Sequence, residues 1–348
     1  MIKVLIIDDS VFMRTVIRDM LQKDVLIDIV GTATNGIEAL EKISLLHPDL
    51  ITLDIEMPRM NGLEVLERLQ KINPCPKILM LSSLTSKGAE MTIEAIRRGA
   101  DDFMLKPKDI PHLREIGEEL VAKIKHMVTL PALSALRLPK AMQTTRPAER
   151  VVLIGSSAGG PPMLDTLLAG LPSTLPAAIV ITQHMPPGFT APLAARFNRI
   201  AQMPVKETEN GDILEAGKIL LSKAGVHTMI SADLSAKKIK TGKIIHTNSP
   251  PVHGVRPAVD KTFESAAKVY GNNCICVILS GMGNDAGEGA LAIKNAGGTC
   301  IICDDKDCLV YGMARSAIQK NAVDQVLPLN KIPAAIERLV RQMEATRV

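Results

Sequence analysis

The sequence predicts two successive α/β domains, each built on a doubly wound parallel sheet, and three observations carry that expectation. Length is the first, because 348 residues exceed what one ordinary hydrophobic core organises. Composition is the second: 46% of the residues are hydrophobic, yet only 2% are aromatic and none is tryptophan, so the cores are aliphatic. Such residues suit parallel strands covered by helices on both faces. The third is rhythm, with apolar runs alternating with helical patterns in two series separated by a basic, proline-dotted stretch.

The first run, Ile2-Lys3-Val4-Leu5-Ile6-Ile7, is closed by Asp8 and Asp9, and Ser10 is placed to cap a helix carrying Val11, Met13, Val16, Ile17 and Met20. Strand patterns recur near 26 to 31, 50 to 54, 77 to 81 and 102 to 105, with helical patterns near 36 to 46, 62 to 72, 87 to 98 and 109 to 126. Five strand-helix alternations within about 125 residues imply a doubly wound sheet. From about 125 to 150 the periodicity weakens, and Pro131, Pro139, Pro147, Arg137, Lys140 and Arg146 read as a linker, with room for a short helix. The boundaries expected are 1–124 for the first domain, 125–148 for the linker and 149–346 for the second domain.

A second series starts at Val151-Val152-Leu153-Ile154 and continues at 178 to 181, 219 to 221, 243 to 245, 274 to 279 and 299 to 302. Leu164, Leu167, Leu168, Leu193, Phe197, Ala290 and Ile293 supply helical faces between some of these strands. The middle, around 205 to 250, is less regular and has room for antiparallel hairpins.

Several classes are excluded. A net charge of +4 is too weak a bias for a nucleic-acid partner, and no Lys/Arg-rich motif supports one. No apolar stretch reaches the roughly 18 to 20 residues of a membrane span, and the acids at 8 and 9 interrupt what a signal peptide would need, so a cytoplasmic protein without membrane insertion is expected. Cys300 and Cys303 have metal-like spacing but sit in a strand pattern, where residues three apart face opposite sides; reduced, mostly buried thiols are expected.

Residues just past the ends of parallel strands gather on one rim, where ligands bind. Asp8, Asp9 and Asp54 meet there, and carboxylates so close repel unless a cation sits among them; an oxygen-only set suits Mg²⁺, which also neutralises an incoming phosphoryl group. Lys106 supplies a positive charge and Ser82 a hydroxyl for that group, with Phe103 close by. These residues, with Asp54-Ile55-Glu56-Met57-Pro58 and Lys106-Pro107, make residues 1 to about 122 resemble the flavodoxin-like (βα)₅ receiver domain of response regulators. The resemblance implies that Asp54 accepts the phosphoryl group and that Asp8, Asp9 and the Glu56 backbone carbonyl help hold Mg²⁺. It also implies a Lys106-Pro107 bond that is often cis.

In the second series, Gly155-Ser156-Ser157-Ala158-Gly159 fits a G-x-S-x-G turn between strand and helix, which exposes a hydroxyl. A serine needs a base. His184, following the strand in Gln183-His184-Met185, and His253, in a Pro/Gly loop, are the candidates, and the strand-end position favours His184. Asp285, at the end of Ser280-Gly281-Met282-Gly283-Asn284-Asp285, is the acid that would orient it. A phosphate cradle at the two Gly-rich turns is the competing reading, although neither matches G-x-G-x-x-G or a Walker pattern with lysine.

The chain order Ser, His, Asp differs from the Ser, Asp/Glu, His order of α/β-hydrolases. Together with Arg256-Pro257-Ala258-Val259-Asp260, these segments make residues 149 to 346 resemble the catalytic domain of the CheB protein-glutamate methylesterases. The resemblance implies Ser157 as nucleophile, His184 as base and acid, Asp285 as its partner and the Met282 backbone N–H in the oxyanion hole. Ser156 and Ala158 depart from the Ala-Ser-Thr-Gly-Gly common in that family, which makes Ser156 a competing candidate for nucleophile, and the loop around His253 departs as well.

Further implications concern function. They are demethylation of glutamate γ-methyl esters and deamidation of glutamines on methyl-accepting chemotaxis receptors, giving sensory adaptation; activation by a chemotaxis histidine kinase; recruitment to receptor clusters; and no cofactor for ester hydrolysis. A DNA-binding output would need clustered Arg/Lys on a helix-turn-helix after the linker, where strands and Gly-rich turns stand instead. A non-catalytic, phosphorylation-dependent adaptor is the remaining alternative.

Overall fold

Ile2–Ile7 form β1 of a five-stranded sheet in the computed structural model, which describes residues 1–70, 72, 74–82, 91, 94, 95, 98–106, 113–129, 146–233 and 241–345. The chain separates into two compact units, Met1–Pro131 and Ala132–Val348. In the first, β2 (Ile27–Ala33), β3 (Leu50–Asp54), β4 (Lys77–Ser82) and β5 (Asp102–Leu105) complete an all-parallel sheet of order β2-β1-β3-β4-β5. The order reverses direction at β1, so the rim beyond β1 and β3 is the switch point of a doubly wound sheet.

Alternation along each strand divides the core. Leu5, Ile7, Ile51, Leu53 and Met80 face α2 (Gly36–Leu46) and α3 (Gly62–Leu69). Val4, Ile6, Leu50, Leu79 and Leu81 face α1 (Val11–Leu21) and α4 (Leu113–Thr129). Ser10 caps α1 by accepting from the Met13 N–H at 3.3 Å. Val11, expected on the apolar face, is 70% exposed, and Met13, Ile17, Met20 and Leu21 do the burying. The helix α4 continues to Thr129, past the point where the sequence pattern weakens. Most of the expected helix near 87 to 98, the start of the one near 109, Pro107, Pro131, Arg137, Pro139 and Lys140 lie outside the described residues, as does the side chain of Ser82.

The second unit is built on a seven-stranded parallel sheet: β6 (Val151–Ser156), β7 (Ala178–Gln183), β8 (Val205–Glu207), β9 (Ile219–Leu221), β12 (Cys274–Ile278), β13 (Thr299–Cys303) and β14 (Gln325–Leu327), in the order β14-β13-β12-β6-β7-β9-β8. Every residue of β6, β7 and β12 is buried, as expected where helices cover both faces. The helices are α5 (Gly160–Gly170), α6 (Thr190–Ile200), α7 (Val259–Tyr270), α8 (Gly287–Asn295), α9 (Gly312–Gln319) and α10 (Ile332–Ala345).

Residues 243 to 245 do not extend this sheet. They belong to β11 (Gly242–Thr247), which pairs antiparallel with β10 (His227–Ala232) in a separate ribbon. This ribbon is an antiparallel pairing of the kind for which the irregular middle has room, although the mixed polarity of His227-Thr228-Met229-Ile230-Ser231-Ala232 hides the bounds of β10, and β8 and β14, three residues each, carry no clear period. Cys274, Cys276, Cys300 and Cys303 are buried. Among the described residues no helix is long and apolar enough to cross a membrane.

Candidate active site

The rim of the first unit assembles from strand ends. Asp8 follows β1, Asp54 ends β3 and Lys106 follows β5, and carboxylate oxygens of Asp8, Asp9 and Asp54 lie within 4.8 Å of one another. Lys106 Nζ stands 2.8 Å from both Asp8 Oδ2 and Asp54 Oδ2. One lysine cannot neutralise three carboxylates, two of them buried. Burial accordingly raises the Asp54 pKa to about 6; the Asp8 charge adds to this, while Lys106 and the Ile55 N–H, 2.8 Å from Oδ1, oppose it. Burial works against the Lys106 ammonium too, but Asp54 and Asp8 outweigh it and raise its pKa. Glu56 is exposed in the following loop, and Phe103 is half-buried on β5.

A hard divalent cation fits this donor set. The donors are all oxygens, and a single lysine shared by the two buried carboxylates leaves negative charge among them for such a cation to balance.

In the second unit, Ser156 and Gln183 are register partners at the ends of β6 and β7, so Ser157 and His184 leave the sheet side by side. Ser157 N–H donates to Ser280 O at 2.9 Å, tying the serine turn to the segment after β12. A Cβ on Gly281 would stand 2.1 Å from Met313 Sδ and 3.0 Å from Ser157 Cβ. Only glycine permits that approach, which brings Met282 to the residue beyond the serine contact. Ser156, the competing candidate, is fully buried, with its hydroxyl donating to Gln183 Oε1 at 2.6 Å.

His184 and Asp285 come together although 101 residues apart: Nε2 lies 2.7 Å from Oδ2. Asp285 is set into the N-terminus of α7, where the Val259 and Asp260 N–H groups donate to it at 2.6 and 2.9 Å, and the Ala286 N–H donates at 2.9 Å. Burial pushes Asp285 up, but His184 and these amides outweigh it and hold the carboxyl below its ordinary range. His253, the other candidate base, pairs with Asp260 instead, its Nε2 3.2 Å from Oδ2. Burial and the neighbouring Asp285 charge raise Asp260 to about 6, against the Gly289 N–H and His253.

The sequence reading missed Asp260 and the α7 amides as partners of Asp285, and it gave Gln183 no role. Gln183 carried a signal, as a polar residue closing an apolar strand.

An acidic strand-end rim followed by a parallel α/β unit with a paired histidine and aspartate at its strand ends marks a response regulator joined to a hydrolase. Residues 4–118 match the response regulator receiver domain model and residues 152–336 the CheB methylesterase model. The chain belongs to the CheB methylesterase family. It is 60% identical over 344 residues to a protein-glutamate methylesterase/protein-glutamine glutaminase 1 of Methanospirillum hungatei, covering 99% of both chains. A protein-glutamate methylesterase/protein-glutamine glutaminase of Thermotoga maritima is 41% identical over 347 residues, 97% of this chain and 98% of its own. The crystal structure of the Thermotoga maritima CheB methylesterase catalytic domain, 40% identical, covers 55% of this chain and 98% of its own with a TM-score of 0.52.

Proposed function

We propose that this protein is a phosphorylation-activated hydrolase that removes methyl groups from glutamate γ-methyl esters on methyl-accepting chemotaxis receptors and deamidates receptor glutamines, giving sensory adaptation. The observation that carries the reading is the His184–Asp285 pair beside the Ser157 turn, in a chain 60% identical over nearly its whole length to a relative of that name. Residues 1–124 receive the signal, 125–148 link, and 149–346 catalyse. A chemotaxis histidine kinase phosphorylates Asp54, and the protein works in the cytoplasm at receptor clusters.

Ser157 Oγ attacks the ester carbonyl while His184 takes its proton. Because Nε2 faces Asp285, the basic nitrogen is Nδ1, and the ionised Asp285 fixes this tautomer and stabilises the imidazolium that forms. The Met282 N–H receives the developing oxyanion. His184 then gives that proton to the leaving methoxide oxygen, or to the amide nitrogen of a glutamine, so that methanol or ammonia departs, and draws a proton from the water that hydrolyses the acyl-enzyme. No cofactor enters this step.

At the other site Asp8, Asp9, Asp54 and the Glu56 carbonyl would hold Mg²⁺, which neutralises phosphoryl charge when bound. Asp54 is the acceptor, Lys106 pairs with the added charge, and Ser82 and Phe103 report it. Methanol release from methyl-labelled receptor membranes tests the reading. Release by the intact protein and its loss in Ser157→Ala is expected; no release by the intact protein would leave a phosphorylation-dependent adaptor.

A further inference from the structure

Gln183 is buried at the end of β7, between the two residues assigned to chemistry. Its Nε2 donates to Ser157 O at 2.8 Å and to His184 O at 3.1 Å, and its Oε1 accepts from Ser156 Oγ at 2.6 Å. The amide orientation is fixed by chemistry: two carbonyl oxygens only accept, so the nitrogen must face them, and a hydroxyl satisfies the oxygen. The cradle has no spare room. A Cβ on Gly160 would stand 2.3 Å from Gln183 Oε1, 2.9 Å from Ser156 Cβ and 3.0 Å from Ser156 Oγ. Gly160 N–H also donates to Ser157 O at 2.9 Å, so that carbonyl is held from two sides.

We infer that Gln183, locked by Ser156, is a positioning residue: one amide group that fixes the main chain of the nucleophile and the main chain of the base at a set separation. The inference rests on Ser157 and His184 being nucleophile and base. Parallel strand pairing ends at the Ser156–Gln183 register, where the His184 N–H donates to Ser156 O at 3.0 Å; it holds the main chain of the base but does not reach from β7 to Ser157. The amide adds the link from β7 to the Ser157 main chain and joins it to the His184 carbonyl. A misplacement of about 1 Å between reacting groups lowers rate by about 10²-fold, so a clamp at this point acts on kcat. Ser156, fully buried with its hydroxyl on Gln183 Oε1, has its role here through Gln183 and not as a second nucleophile.

The test uses the full-length protein with methyl-labelled receptor membranes, rates being normalised to the fraction of serine titratable by a fluorophosphonate. Gln183→Met keeps the length and removes both donors. Its kcat should fall about 10- to 100-fold with KM within about twofold, and the apparent pKa of the rate profile should stay in place because no charge is removed. Ser156→Ala should lose about three- to tenfold, and the double variant should match Gln183→Met alone, since Ser156 acts only through the amide. Should Gln183→Met fail to fold by circular dichroism, Gly160→Ala, which displaces the amide, takes its place in the same cycle. A Gln183→Met kcat within twofold of the parent, or additive losses in the double variant, would overturn the inference. Failure of the parent to react with the phosphonate would instead overturn the assignment of Ser157.

Discussion

Asp54 and Asp285 both stand at the rim of a parallel sheet, 5% and 2% exposed, yet their acidities move in opposite directions. Burial raises both. Asp54 accepts one main-chain N–H and shares a single lysine with Asp8, which leaves it near pH 6. Asp285 accepts three main-chain N–H groups, two from the start of α7, and pairs with His184, which keeps it ionised. Donor number, not depth, separates a carboxylate whose acidity burial raises from one held ionised beside an imidazole.

The comparison breaks most sharply at Asp54 itself. Asp54→Asn should abolish stoichiometric acylphosphate formation with a small phosphodonor while basal esterase activity persists; full labelling elsewhere on the rim would sink the acceptor assignment. Next in size, Asp285→Asn and His184→Ala should each lower methanol release by about 10³- to 10⁴-fold, with the double variant little worse than either single one. A loss below tenfold would show that the pair does not act as a unit with Ser157.

Smaller effects sharpen the contrast. Removing residues 1–140 should give an esterase about 10- to 100-fold more active than the unphosphorylated chain, a change equivalent to about 1.4 to 2.8 kcal/mol of coupling. An inactive or unchanged fragment would mean that the first unit recruits substrate and does not restrain the second.

Stability provides the last test, because the two carboxylates should respond with opposite sign. Asp54 has its folded pKa raised to about 6, so its contribution is favourable below the ordinary carboxylate range and lost as pH rises through about 6. Asp54→Asn should therefore stabilise the protein by about 1 to 3 kcal/mol at pH 8 in chelator, with the gain fading toward pH 5. Asp285, held low, contributes above its ordinary range and loses that contribution as pH falls, so Asp285→Asn should destabilise by about 1 to 3 kcal/mol at pH 8. Thermal melts of both variants at the two pH values check this; a shift of the same sign at pH 8 would refute it.

Much of both sites was legible because strand-end residues in a parallel sheet must converge on one rim. Asp8, Asp9, Asp54 and Lys106 were placed together from apolar runs alone, and Asp285 was matched to His184 across 101 residues by the same rule. The antiparallel ribbon of β10 and β11 was legible only as an irregular stretch with room for a hairpin, since periodicity reports which face is buried but not which strand is the neighbour.

The two doubly wound sheets, their aliphatic cores and the residue types on each rim follow from the order of residues alone, because hydrophobic period and strand-end position are local properties of the chain. It takes the packed chain to turn Nε2 of His184 toward Asp285, to bring the first amides of α7 to that carboxylate, to set Asp260 against His253, and to join the Ser157 and His184 carbonyls through Gln183. Those contacts depend on hydrogen-bond direction and on where a helix begins relative to a turn 26 residues away, as for Val259 and Asp285, and such geometry exists only once the chain has packed.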